Sequence, residues 1–209
     1  MDILFDLAEF EDISVLDAMT RCEHGLDNAV AESRELGDQF YVDSQQLIYD
    51  LVVFNSHQWY LPRRVSALAA MAEAHFLDFG CGIGTAAFHL ASEGKEVWAY
   101  DINKRCMEFA RFRNKRLGYP NVHFIDSLDD ADFTETEIVY ALDVFEHIAD
   151  PYPILEDLYR RMKAGAKLAQ ASPWNDLQPL HIGSPEVYAW ALQKAGFAPL
   201  DEHWAIKEG

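Results

Sequence analysis

Two hydrophobic rhythms divide the chain. Up to about residue 60, apolar positions recur at helical spacing, with no proline before Pro62 and no glycine between Gly37 and Gly80. Between Ile13 and Leu36 a loose stripe of Leu16, Met19, Leu26 and Val30 predicts a helix with those residues inward. Asp43 or Ser44 is placed to cap a second helix over Gln45 to Phe54, with Leu47, Ile48, Leu51 and Val52 as its buried face. Pro62 suits the first turn of a third, whose Val65, Leu68, Ala69 and Ala72 would pack on a sheet.

From Phe76 onward short apolar runs alternate with helical segments, the signature of a parallel sheet with crossovers. The expected strands begin at Phe76 and Leu77, then run over Glu96 to Tyr100, Val122 to Ile125, Ile138 to Leu142 and Ala166 to Ala171. The intervening helices cover Ala86 to Ser92, Asn103 to about Leu117 with Gly118 as its stop, and a stretch from near Asp150 to before Gly165. Ser184, Pro185 and Glu186 cap and start a last helix that stops at Gly196. Phe197 to Ile206 then reads as one more strand, so the tail holds either a stubby hairpin or a single strand. The fold class is α/β: a doubly wound, mostly parallel sheet at 61–209, an N-terminal helical cap at 1–60, and a short C-terminal strand region.

Between the first strand and its helix lies Leu77-Asp78-Phe79-Gly80-Cys81-Gly82-Ile83-Gly84-Thr85. Glycine at every second position leaves the backbone bare, so a bulky ligand can lie against it, and the helix start offers N–H donors and its positive dipole end. A dinucleotide fingerprint needs its third glycine at position 85, which is Thr. The next strand ends in Asp101, 23 residues after Asp78, where an acid can accept both hydroxyl hydrogens of a ribose. On these residues the chain resembles the class I S-adenosylmethionine-dependent methyltransferases over roughly its last two-thirds. That resemblance implies S-adenosylmethionine as cofactor, with Asp78, Gly80, Gly82 and Gly84 near its methionine part and Asp101 and Ile102 at the ribose. It places Asp126 and Ser127 near the adenine, and the backbone of Asp143 and Val144 along the site. It also implies that the N-terminal helices form a lid, which would bring Tyr49, Trp59 and Tyr60 toward a sulfonium that aromatic faces attract. Arg63 or Arg64 could pair with the cofactor carboxylate or simply be surface charge.

Asp143-Val144-Phe145-Glu146-His147 carries the second candidate chemistry. On a helix, Asp143, Glu146 and His147 would stand at i, i+3 and i+4 and point one way. The stretch resembles the metal-holding segment of small-RNA 2′-O-methyltransferases and ubiquinone-pathway O-methyltransferases, with His181 as the fourth ligand. Two carboxylates and two imidazoles suit Mn²⁺, Fe²⁺ or Zn²⁺ better than Mg²⁺. A divalent metal on Asp143, Glu146, His147 and His181 is nonetheless the disfavoured reading, beside His147 or His181 as general base and beside purely structural roles. The proline-punctuated loop from Pro173 to His181 either walls an acceptor pocket or is a plain surface connection.

The 209 residues carry a net charge of −18, which repels a phosphate backbone and disfavours nucleic acid. The densest basic cluster, Lys104 to Arg116, reads as a solvated helix face. Three scattered cysteines, Cys22, Cys81 and Cys106, suggest a reducing cytoplasm, and no apolar run reaches membrane-spanning length. The expected activity is methyl transfer to an oxygen or nitrogen of a small molecule. The alternative is a catalytically silent, cofactor-binding subunit of a larger assembly, and a protein partner or homo-oligomer fits either.

Overall fold

The computed structural model describes residues 2–56, 61–174 and 178–208, and the side chains of residues 61–64 lie outside that description. The helical cap comprises α1 (Ile3–Phe10), α2 (Val15–Glu23), α3 (Gly25–Leu36), α4 (Phe40–Asp43) and α5 (Leu47–Ser56). After α6 (Leu61–Ala69), strand and helix alternate as β1 (His75–Phe79), α7 (Thr85–Ser92), β2 (Glu96–Tyr100), α8 (Lys104–Leu117) and β3 (Val122–Phe124). The chain continues through β4 (Ile138–Leu142), α9 (Tyr152–Arg161), β5 (Lys167–Ala171), α10 (Pro185–Ala195), β6 (Ala198–Pro199) and β7 (Trp204–Ile206).

The seven strands form one sheet in the order β3-β2-β1-β4-β5-β7-β6. The first five are parallel, and β7 pairs antiparallel with both β5 and β6. The tail therefore holds both strands of a hairpin, not a single one, at two and three residues long. Successive strand residues point to opposite faces. Phe76, Val97, Ile138 and Tyr140 pack with α6, α7 and Met107 of α8, while Leu77, Phe79, Val139 and Leu168 pack with α9 and α10. The order of strands reverses between β1 and β4, which opens a crevice at their carboxyl ends.

The cap corrects two sequence expectations. The stripe of Leu16, Met19 and Leu26 faces outward, and the buried side is the small-residue row Ala18, Cys22, Gly25 and Ala29. Close packing explains this: a Cβ on Gly25 would lie 2.8 Å from the Asp50 backbone nitrogen, so α3 meets α5 nearly backbone to backbone. The basic face of α8 is solvated only in part: Lys104 and Lys115 are exposed, but three arginines turn to acids of the cap. Arg105 pairs with Glu11 at 2.6 Å, Arg116 with Asp6 at 3.1 Å and with Glu9, and Arg113 lies 3.7 Å from Asp6. Asp6 is 1% exposed, and Arg113 is buried against the rings of Phe88 and Phe109. Burial lowers the Arg113 guanidinium to about 10, and Asp6 works against that fall.

Removing one partner of a buried ion pair strands the other charge in a low-dielectric setting. Asp6→Ala is expected to cost about 3 kcal/mol of unfolding free energy in urea titrations. Glu9→Ala, more than half exposed at its side chain, should cost less than about 1 kcal/mol in the same assay. Equal losses for the two would show that α1 is not held by the buried pair.

Candidate active site

Gly80, Gly82 and Gly84 all adopt left-handed backbone, with φ of 77°, 53° and 78°. At Gly80 a side chain is excluded twice, since its Cβ would sit 2.5 Å from Cγ2 of Val144. The N–H groups of Gly80 and Cys81 donate to the Tyr100 carbonyl at 2.8 and 3.0 Å, and that of Gly82 donates to Oδ2 of Asp101 at 2.7 Å. These amides of the turn are thus spent on the end of β2 and not held out to a ligand. What remains is bare backbone and the start of α7, whose left-handed Gly84 cap makes no side-chain capping bond. From below, Arg113 donates to the Ile83 carbonyl at 2.8 Å and to Oγ1 of Thr85 at 3.0 Å, so the cap's ion pair also steadies the turn.

Asp101 accepts at both oxygens, from Gly82 and, at 2.8 Å, from the Asn103 N–H. Burial raises its carboxyl above the usual range, against the pull of N–H groups of Asn103, Gly82 and Ile102. Asn103 caps α8 through the Cys106 N–H and donates its side-chain amide to the Ser44 carbonyl at 3.1 Å. Ser44 in turn caps α5 through Leu47 and bonds to Glu32 at 2.5 Å. A continuous hydrogen-bonded path therefore runs from the cap to the acid at the end of β2. A carboxylate has about four lone-pair directions, so the well-formed bonds from Gly82 and Asn103 leave room on Asp101 for hydroxyl hydrogens.

Asp78 is 2% exposed, and burial pushes it up to about 7, with the Tyr140 hydroxyl and the Ala87 N–H pulling the other way. Its Oδ2 has no hydrogen-bond partner among the described residues. A buried, unmatched carboxylate oxygen on a ligand cavity is a place for a cationic donor.

The crevice is a cavity of about 500 Å³ bounded by the glycine turn, Asp101, Ile102, Asp143 and Val144. Tyr41, Leu51, Phe54 and Asn55 of the cap close it from above, and Leu128, Ile148 and Ile154 give it apolar wall. Asp126 and Ser127 do not line it. Asp126 borders a neighbouring hollow of about 430 Å³ and pairs with Arg111 at 2.8 Å, while Ser127 accepts from the Asp129 N–H. Tyr49 is buried inside the cap, bonded to Arg21 and Glu11, and lies off the cavity. Trp59 and Tyr60 lie outside the described residues, as do Asn175 to Leu177 and the side chains of Arg63 and Arg64.

The segment after β4 is not an α-helix. Asp143 is left-handed at φ 56°, and only Phe145–His147 form a single 3-10 turn. Asp143 consequently stands apart, while Glu146, His147 and His181 bring their donor atoms within 4.8 Å of one another. The loop before α10 is laced onto this turn: the N–H groups of Ile182 and Gly183 both donate to the Glu146 carbonyl, at 2.9 and 2.8 Å. Gly183 permits that approach, because a Cβ there would lie 2.5 Å from the Phe145 carbonyl oxygen. The rings of His147 and His181 meet edge to face at 5.0 Å. Burial lowers His147 to about 4, with the Leu180 carbonyl raising and His181 lowering it further, so its imidazole is neutral at pH 7. Trp174 packs on Tyr188 and leaves the cavity wall to others. Tyr41, Leu51, Phe54 and Asn55 escaped the sequence reading, since nothing local distinguishes a cavity-facing cap residue from a packed one.

A buried acid raised to about 7 binds a proton in the folded chain between pH 4 and 7 that the unfolded chain has lost. Its contribution to stability therefore falls as pH climbs through that window, and above it the folded protein carries a buried charge. Asp78→Asn is expected to raise the ligand-free protein's stability at pH 8 by on the order of 4 kcal/mol and to change it by less than about 1 kcal/mol at pH 4. Denaturant titrations at the two pH values check this, and an equal effect at both would contradict it.

Sequence and structure comparisons agree with this geometry. Residues 77–168 match a family described as a methyltransferase domain. A ubiquinone biosynthesis O-methyltransferase of Proteus mirabilis is 28% identical over 111 residues, 50% of this chain and 45% of that protein. The chain thus matches less than half the length of this curated relative. A SAM-dependent methyltransferase of Aquifex aeolicus superposes with a TM-score of 0.54 at 22% identity, over 69% of this chain and 86% of its own. Human N-acetylserotonin methyltransferase, solved with SAM, gives 0.60 at 18% identity over 90% of this chain and 67% of its own, a likeness of fold. Among the described residues no helix is long and apolar enough to cross a membrane. Strand order, glycine turn and sequence match converge on one likeness: residues 77–168 match a methyltransferase domain family, and the fold is that of the SAM-dependent methyltransferases on which it superposes.

Proposed function

We propose that this chain binds S-adenosylmethionine across the glycine turn and catalyses methyl transfer to an oxygen or nitrogen of a small molecule. The observation that carries this reading is the pair of acids one strand apart. Asp101 is oriented by two N–H groups with lone pairs to spare, and Asp78 has a buried oxygen without a partner. The first suits ribose hydroxyls and the second an ammonium group. Ile102 and Leu128 offer the apolar slot an adenine needs, with Asp126 and Ser127 at its rim once Arg111 yields its contact.

Bound there, S-adenosylmethionine would supply a methyl group already activated by its sulfonium. The protein then has to align the acceptor, exclude water and remove a proton. Phe54, Leu51 and Tyr41 of the cap give the cavity apolar cover on the side away from the sheet. Neutral His147 lines the cavity and His181 packs against its ring, which makes His147, or His181 beside it, the candidate to take the acceptor's proton. The relatives named as ubiquinone biosynthesis O-methyltransferases favour an oxygen acceptor. A cytoplasmic setting fits the three free, buried cysteines, and the acidic surface argues against nucleic acid as acceptor.

Calorimetry with S-adenosylhomocysteine should show binding that Asp101→Ala weakens at least about tenfold, as expected for losing hydrogen bonds to a charged acceptor. With a labelled methyl donor and a panel of phenols and amines, His147→Ala or His181→Ala should lose turnover while keeping S-adenosylhomocysteine affinity. Turnover that survives a chelator assigns the histidines as base, and turnover lost to it moves Glu146, His147 and His181 to a metal. Binding without transfer to any acceptor would favour the silent-subunit reading.

A further inference from the structure

The histidine pair receives one side chain from the cap. Tyr41 Oη lies 2.7 Å from Nδ1 of His147, with the two rings 5.2 Å apart. The same Nδ1 is 3.0 Å from the Leu180 carbonyl oxygen, and Tyr41 Oη is 3.4 Å from that oxygen. The three atoms form a closed triangle, and its proton arrangement can be worked out. A carbonyl can only accept. If Nδ1 carried a lone pair, it would face the lone pairs of Leu180 at hydrogen-bonding distance. With the proton on Nδ1, the ring donates into the triangle, and the tyrosine hydrogen turns to the carbonyl as a longer second donor.

We propose that Tyr41 is a positioning residue: with the Leu180 carbonyl it fixes the His147 ring with its proton on Nδ1, leaving Nε2 to carry the lone pair offered to the acceptor. This rests on His147 serving as the base in the reading above. Each corner of the triangle is anchored separately. Leu180 is held because Ile182 and Gly183 are bonded to the Glu146 carbonyl. Tyr41 is held because Phe40 is buried in the cap core and Ser44, just beyond α4, takes the Asn103 side chain. Burial, with the carboxylates of Glu146 and Asp50 nearby, keeps the Tyr41 hydroxyl protonated. Docking of the cap thereby completes the histidine site, and Asn103, whose N–H orients Asp101 and whose side chain holds Ser44, links the two sides.

The test needs no methyl acceptor. The full chain is labelled with ¹⁵N-histidine, and long-range ¹H–¹⁵N correlations at a fixed pH of about 7.5 read which ring nitrogen is protonated. His147→Gln identifies the His147 signals among those of the eight histidines. The wild type should show His147 as the Nδ1–H form. Tyr41→Phe, which removes one oxygen, should leave the signals of histidines remote from the site in place while its His147 ring-nitrogen signals move toward those of exchanging tautomers. An Nε2–H form in the wild type, or unchanged His147 signals in Tyr41→Phe, would overturn the proposal. Failure of wild-type protein to bind S-adenosylhomocysteine would instead strike the methyl-donor reading and leave the tautomer result to stand by itself.

Discussion

The carboxylate of Asp101 holds two neighbouring strand ends in one geometry. One oxygen takes the Gly82 N–H and the other the Asn103 N–H, so the glycine turn and the start of α8 are fixed to the same side chain. The left-handed glycines make this closure sterically available, and the Tyr100 carbonyl completes it by accepting from Gly80 and Cys81. The cavity, the path to the cap through Asn103 and Ser44, and the direction of the remaining lone pairs follow from that arrangement. Orienting an acid with backbone N–H groups costs no reorganisation when a ligand arrives, which is the physical content of preorganisation.

Charge explains how an acidic chain keeps its cap in place. The arginines of α8 are matched to acids of α1, and one of these contacts is buried deeply enough that neither partner is cheap to remove. Arg113 joins that interface to the Ile83 carbonyl, so cap docking and turn geometry share a residue. The cavity wall is likewise shared between cap and sheet, since Tyr41 and Leu51 line it together with Val144 and His147.

The α/β half was readable from the chain because its signals are local. Short apolar runs, Gly118 and Gly196 as helix stops and Ser184 as a cap all appear where the pattern places them, and Gly196 is left-handed as a stop requires. The cap was less legible because its burial depends on what it packs against. Leu16 and Met19 look like core, yet the close approach of α3 to α5 selects Gly25 and Ala29 for the inside. In the site, Asp101 declared itself by its distance from Asp78. The spacing of Asp143, Glu146 and His147 misled, because it presumes a helix that the left-handed Asp143 prevents. Tyr41 was invisible because its role is set by Leu180 and His147, more than a hundred residues downstream.

The account turns on a nucleoside clasped at the end of β2. A crystal structure of the complex with S-adenosylhomocysteine tests it most directly. The account predicts both ribose hydroxyls within hydrogen-bond distance of the Asp101 carboxylate and the sulfur on the side of the cavity that holds His147. A ribose seated elsewhere, with Asp101 still bonded only to Gly82 and Asn103, would contradict it.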